Sequence, residues 1–172
     1  MSERRIREVE PGDLDLYLRL RSDPGSMAEL GGPIAPEVVE RSLLREVDDT
    51  AAGRAAVVVI EVQVDGRWLP AGNVSLVLVG TERDASSEVG WMVLPEFRGA
   101  GLARWAVGEL LGRPGAGAIW GTVHAYPSVT NAASNAICRA LGFRLAATGV
   151  TEFNGRRFET NDWVWEPPPA HL

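Results

Sequence analysis

Cysteine is almost missing from this chain: Cys138 is the single example in 172 residues. An intrachain disulfide framework and a cysteine-rich metal site are therefore excluded, and no metal is implied. No apolar run reaches the roughly eighteen residues of a membrane-spanning helix, so no membrane partner is expected. The opening MSERRIREVEPGD lacks the apolar stretch of a signal peptide, which makes a cytoplasmic location the default expectation. Basic residues are outnumbered, 17 against 23 acidic ones, for a net charge of −6. Such a chain is a poor candidate for general nucleic-acid binding and better suited to an amine or other cationic partner. Two familiar phosphate signatures are also absent. There is no GxxxxGK[ST], and Gly99-Ala100-Gly101 is followed by Leu102-Ala103-Arg104, which breaks GxGxxG. With no repeat and no linker, residues 1–172 read as one domain, with a flexible tail expected from residue 167.

What is present centres on residues 88–111, EVGWMVLPEFRGAGLARWAVGELL. Val89, Trp91 and Val93 mark a short strand that Pro95 stops. Phe97 to Gly101 is a tight, glycine-bearing connection. From Leu102 the apolar spacing becomes helical. Strand, glycine-rich loop and helix in that order turn unpaired backbone N–H groups toward an anion. Arg98 adds a planar positive fork suited to phosphate oxygens. A plain strand–turn–helix corner is the alternative reading.

Around this stretch the pattern is regular. Residues 5–9 predict a short strand. Asp13 is a candidate N-cap for a helix over 14–21. A glycine- and proline-rich connection follows over 27–36, then a helix over 36–47 with Val39, Leu43, Leu44 and Val47 on its buried side. Residues 55–64 form the clearest strand. Asp65-Gly66 is the turn, and 68–79 the return strand, interrupted at Gly72 by a bulge or close approach. A polar loop over 80–87 precedes the central strand. A fifth strand is predicted over 118–125 and a last helix over 131–141, closed by Gly142. Two final strands, 143–151 and 158–165, are joined through Asn154-Gly155. A mixed sheet flanked by helices results, an α/β arrangement.

The hexad Arg98 to Ala103 matches R-x-x-G-x-A. Asn131-Ala132-Ala133-Ser134 and Leu141-Gly142-Phe143 match N-x-x-S and L-G-F elements. On these residues the chain resembles the GNAT family of N-acetyltransferases, and within it the subgroup that includes the ribosomal-protein N-terminal acetyltransferases. The resemblance spans roughly residues 6–165. It implies a mostly antiparallel sheet whose fourth and fifth strands splay to hold an acyl-CoA, with acetyl-CoA as donor substrate. It further implies that Arg98, Gly99, Ala100, Gly101, Leu102 and Ala103 cradle the pyrophosphate. Met92, Val93 and Leu94 would face the pantetheine and thioester, and a backbone N–H near residues 91–93 would meet the carbonyl oxygen. Asn131 and Asn135 would contact the cofactor; an N-cap is the competing role for Asn131, and a solvent-facing side chain for Asn135.

The implied reaction is direct attack of a primary amine on the thioester, the amine belonging to a small molecule or to a peptide or protein N-terminus. Glu88 is the expected base, through water, with a solvated strand-end charge as its alternative. Ser134 is the expected acid or thiolate hydrogen-bond donor, with a simple first-turn serine as its alternative. The family often uses a tyrosine here, yet the corresponding helical position carries none; Tyr126 lies at the end of the fifth strand. His124 is a further candidate base. One of Glu152, Glu159 and Asp162 is expected to anchor the amine. Cys138 reads as a buried small residue. A noncatalytic acyl-CoA sensor of the same fold is the competing function, and a homodimer is left open.

Overall fold

The computed structural model describes residues 3–79, 86–113, 115–153 and 155–167. Seven strands form one sheet: β1 (Arg4–Glu8), β2 (Ala55–Val64), β3 (Arg67–Val79), β4 (Ser86–Val93), β5 (Val123–Ala125), β6 (Arg144–Phe153) and β7 (Arg156–Trp165). Their order is β1-β2-β3-β4-β5-β7-β6. Every neighbouring pair is antiparallel except β4 and β5. The helices are α1 (Leu14–Ser22), α2 (Pro24–Met27), α3 (Pro36–Ala51), α4 (Leu102–Leu111), α5 (Ala116–Trp120) and α6 (Ala132–Ala140).

Alternation along the strands divides the core. Val58, Ile60, Val74, Leu76 and Val89 pack on one face with Ala106, Val107 and Leu110 of α4. Val57 and Val59 pack on the other with Leu16, Tyr17, Leu20, Val39 and Leu43 of α1 and α3. Burying such side chains contributes roughly 1.5–3 kcal/mol each, so both layers hold the sheet firmly. On β4 the same alternation sends Val89, Trp91 and Val93 toward α4. It sends Met92, and with it Glu88 and Gly90, toward α1 and α3.

The expected element order holds, with α2 and α5 added. Part of the predicted 27–36 connection is helical: Met27 ends α2, and Ala28–Leu30 forms a 3₁₀ turn. The predicted strand over 118–125 is half helix. Ala116 and Trp120, one turn apart, are both buried, and only residues 123–125 pair as a strand. Ser86 and Ser87, expected in a loop, begin β4. Asp13 precedes α1 but does not cap it. Its carboxylate accepts the Glu10 N–H at 2.8 Å and takes Arg7 in a two-pronged pair at 2.6 and 2.9 Å. Leu44 is exposed on α3. Of the final hairpin turn, Asn154 lies outside the described residues, as do Pro168, Pro169 and the rest of the expected tail beyond Pro167. The Asp65-Gly66 turn has φ of 49° and 76°, the left-handed pair of a tight hairpin.

Gly72 is a close-approach site. A Cβ there would sit 2.3 Å from the Met92 carbonyl oxygen. The register shifts opposite it, between Ile60 and Glu61. A bulge on β3 thus presses the middle of that strand against β4 where the cleft opens.

Candidate active site

A cleft of about 1150 Å³ runs between β4, the α4 corner, the start of α6 and the α1–α2 wall. Its origin is a sheet that parts. β4 and β5 pair only at Ser87–Val123 and Glu88–His124. Beyond Glu88, β4 continues to Val93 while β5 stops at Ala125.

The backbone donors in that gap follow from alternation. Leu94 N–H donates to Ala71 O of β3 at 2.8 Å, and Ser87 N–H to Thr122 O, on the β5 side, at 2.9 Å. Successive groups along a strand alternate direction. The even-numbered residues from Glu88 to Leu94 therefore address β3, and the odd-numbered ones face β5. Past the end of the β4–β5 pairing, the N–H groups of Trp91 and Val93 open into the cleft that both residues line. Two aligned donors in a strand gap suit a carbonyl oxygen gaining charge.

At the far end, Gly99 and Gly101 have φ of 78° and 71°, in the left-handed region that favours glycine. Gly101 caps α4, leaving the first-turn N–H groups of that helix at the cleft. Gly99, Gly101, Leu102, Ala103 and Arg104 line it, as does Arg98. The Arg98 guanidinium already has partners: Nε donates to Val93 O at 3.1 Å, one Nη to Ser26 Oγ, and Asp23 lies 3.6 Å away. It ties the glycine-bearing corner to the α2 wall.

Three expected site residues stand elsewhere. Leu94 is fully buried among α1, α3 and β2 residues, and its N–H is bonded to β3. Ala100 lines a separate hollow beside Arg4 and Val62. Asn135 neither faces solvent nor lines the cleft. It is 2% exposed. Its Nδ2 donates to Ser128 O and Asn131 O at 2.9 and 2.8 Å, and its Oδ1 accepts from Asn161 Nδ2 and Trp163 Nε1, both at 2.8 Å. With every donor and acceptor engaged, it joins α6 to β7. Trp163 is core for the same reason. Asn131 caps α6 by accepting the Ser134 N–H at 3.0 Å; both residues also line the cleft. Met92 and Val93 line it too.

Across β4, β5 and β7 a charged row occupies the α1–α3 face. Glu88 is level with His124. His124 Nδ1 meets Asp162 Oδ1 at 2.7 Å. Glu88 reaches the cleft, yet the surrounding protein desolvates its carboxyl and raises its pKa, an effect that His124 partly offsets. Tyr126 stacks on His124 with centroids 5.8 Å apart. Burial, then Asp162 and Glu88, raise its pKa, so it stays protonated at the cleft edge. The His124–Asp162 pair is not evident from the chain alone because 38 residues separate its members. Burial pushes the Cys138 thiol up to about 12, which removes it as a nucleophile. Among the described residues no cluster of His, Cys, Asp and Glu fit for a metal occurs, and no helix is long and apolar enough to cross a membrane.

A family model described as the acetyltransferase (GNAT) domain matches residues 4–144. No curated protein matches the chain in sequence. Among solved structures, it is similar to the ribosomal-protein-S5-alanine acetyltransferase of Vibrio fischeri, at 17% identity over 100% of both chains and a TM-score of 0.78. It is similar to the spermidine N-acetyltransferase of Vibrio cholerae in complex with CoA and spermine, at 20% identity over 95% of both chains and a TM-score of 0.76. It is also similar to the microcin C7 self-immunity acetyltransferase in complex with acetyl-CoA and AMP, at 17% identity over 95% of this chain and 92% of that one, with a TM-score of 0.78. At these identities the likeness is one of fold.

Proposed function

We propose, from the premise that the chain belongs to the GNAT acetyltransferase family, that it transfers acetyl from acetyl-CoA directly to a primary amine held beside Glu88. The observation that carries this reading is the parted sheet, with the Trp91 and Val93 N–H groups turned into a cleft that ends at the glycine-bearing α4 corner. An extended pantetheine fits where β5 has left β4, and a pyrophosphate fits the first-turn N–H groups of α4. The amine nitrogen forms a bond to the acetyl carbon, and the carbon–sulfur bond breaks. Glu88 takes the proton of the incoming ammonium through water. His124, oriented by Asp162, stands next to it as an outlet for that proton. Ser134 or the protonated Tyr126 supplies the proton that the departing thiolate needs, and regains it from the second proton that the nitrogen loses on forming the amide. Alignment of the two reactants contributes about 7–11 kcal/mol in favourable cases.

The acceptor is a small-molecule amine or a peptide α-amine. The single buried thiol suits a reducing, cytoplasmic setting. A panel of small amines and peptides, followed by thiol release and product mass, tests the activity. CoA should compete with acetyl-CoA, and mononucleotides should not. Binding of acetyl-CoA without turnover of any amine would favour an acyl-CoA sensor instead.

A further inference from the structure

Beneath the acceptor side of the cleft lies a polar chain that the transfer chemistry does not use. Tyr17, fully buried, donates to Glu46 Oε2 at 2.5 Å. Glu46 Oε1 accepts from Arg21 Nη2 at 3.2 Å, and the Arg21 guanidinium sits 4.4 Å over the Tyr17 ring. Two polar side-chain atoms at the cleft have no such partner. Asn73 Oδ1 and Arg21 Nη1 are the buried side-chain atoms without a hydrogen-bond partner among the described residues. Both residues line the cleft, and Asn73 is 4% exposed. A buried unmet polar atom is costly, and two beside one cleft call for an explanation.

We infer that Asn73 and Arg21 form an acceptor subsite for a neutral group that both donates and accepts a hydrogen bond, a carboxamide or peptide unit near the reactive amine. The inference rests on the acetyltransferase reading above. Asn73 Oδ1 accepts only, so a carboxylate would meet Arg21 and be repelled by Asn73. Arg21 donates only and is cationic, so a second ammonium would meet Asn73 and be repelled by Arg21. An amide satisfies both, its carbonyl on Arg21 and its N–H on Asn73. Position agrees: Asn73 is the β3 partner of Met92, between the two residues whose N–H groups open into the gap. Paired residues lie about 5 Å apart, so the subsite stands one strand away from that gap. Glu88 is the one carboxylate among the described residues lining the cleft, so a polyamine finds no series of acidic partners. Reaching the two atoms takes a side-chain adjustment of the kind common on binding.

The test compares kcat/KM for β-alaninamide, n-butylamine, β-alanine and diaminopropane, each expressed per unprotonated amine. The amide should be preferred over each of the other three by about tenfold or more, since analogues lacking it leave a buried group unpaired. The Asn73→Leu variant should lose most of that preference while still acetylating n-butylamine. Asn73→Asp, which keeps the shape and adds charge, should shift preference toward the diamine. Equal kcat/KM for amide and alkyl amine in the unaltered protein would overturn the subsite, as would an unchanged preference in folded Asn73→Leu; water alone would then meet these atoms. Absence of turnover with all four, and with the peptide panel, would instead reject the acetyltransferase reading itself.

Discussion

Glu88 shows how one environment shapes both rate and stability. Desolvation raises its carboxyl pKa above the ordinary value, so the acid limb of kcat/KM against pH should lie above that value too. Glu88→Gln should abolish this limb and lower kcat by about a hundredfold, with the acetyl-CoA KM spared. The linkage sign is opposite to that of a salt-bridged carboxylate. With its folded pKa above the unfolded one, Glu88 destabilises the fold progressively as pH rises between the two. Glu88→Gln should therefore raise the Tm at neutral pH while activity falls. Asn135 makes the reverse case. Asn135→Ala strands the Trp163 and Asn161 donors and should cost about 2–3 kcal/mol in urea unfolding. Its acetyl-CoA affinity, measured where the variant is folded, should be unchanged. A selective loss of that affinity would restore the cofactor-contact role expected from the chain.

At the scale of elements, the cleft depends on where β4 parts from β5 and on what holds β4 in place. Gly72 is central because Met92 O occupies the space of its missing Cβ. Gly72→Ala must push the two strands apart and should cost about 3 kcal/mol, with a matching drop in Tm. Because the push falls at Met92, between the Trp91 and Val93 donors, kcat should fall even below the new Tm. The strand–loop–helix unit was legible because a period of two changes to a helical one across Gly99 and Gly101. The split of residues 116–125 into helix and strand was not. Ala116, Ile119 and Trp120 form too short an apolar run to distinguish the two periods, and the burial of Ala116 and Trp120 together settles it. The cap expected of Asp13 failed for a related reason. Arg7, six residues away on β1, holds that carboxylate with two donors.

For the whole molecule, direct transfer and an acyl-enzyme make different predictions. All 17 basic residues are arginines, so no lysine side chain can hold an acetyl group. Cys138 is buried and kept protonated. Incubation with acetyl-CoA and no amine should therefore leave the intact mass free of added acetyl everywhere but the N-terminal amine, as read by mass spectrometry after denaturation. An acetyl group on Cys138 or Ser134 would contradict direct transfer.

The amino-acid sequence by itself determined most of the elements, their order and the glycine-bearing corner before α4. Each of those depends on contacts a few residues apart: apolar periods, turn glycines and an arginine beside a glycine loop. Tertiary structure alone decided which polar side chains face the cleft. The β7 partners of Asn135 and the partners of His124 and Tyr17 lie 26 to 38 residues away, and tertiary packing is what brings them together. That is why Asn135 proved a bolt between α6 and β7, and why the unmet polar atoms of Asn73 and Arg21, unremarkable in the chain, belong to one cleft.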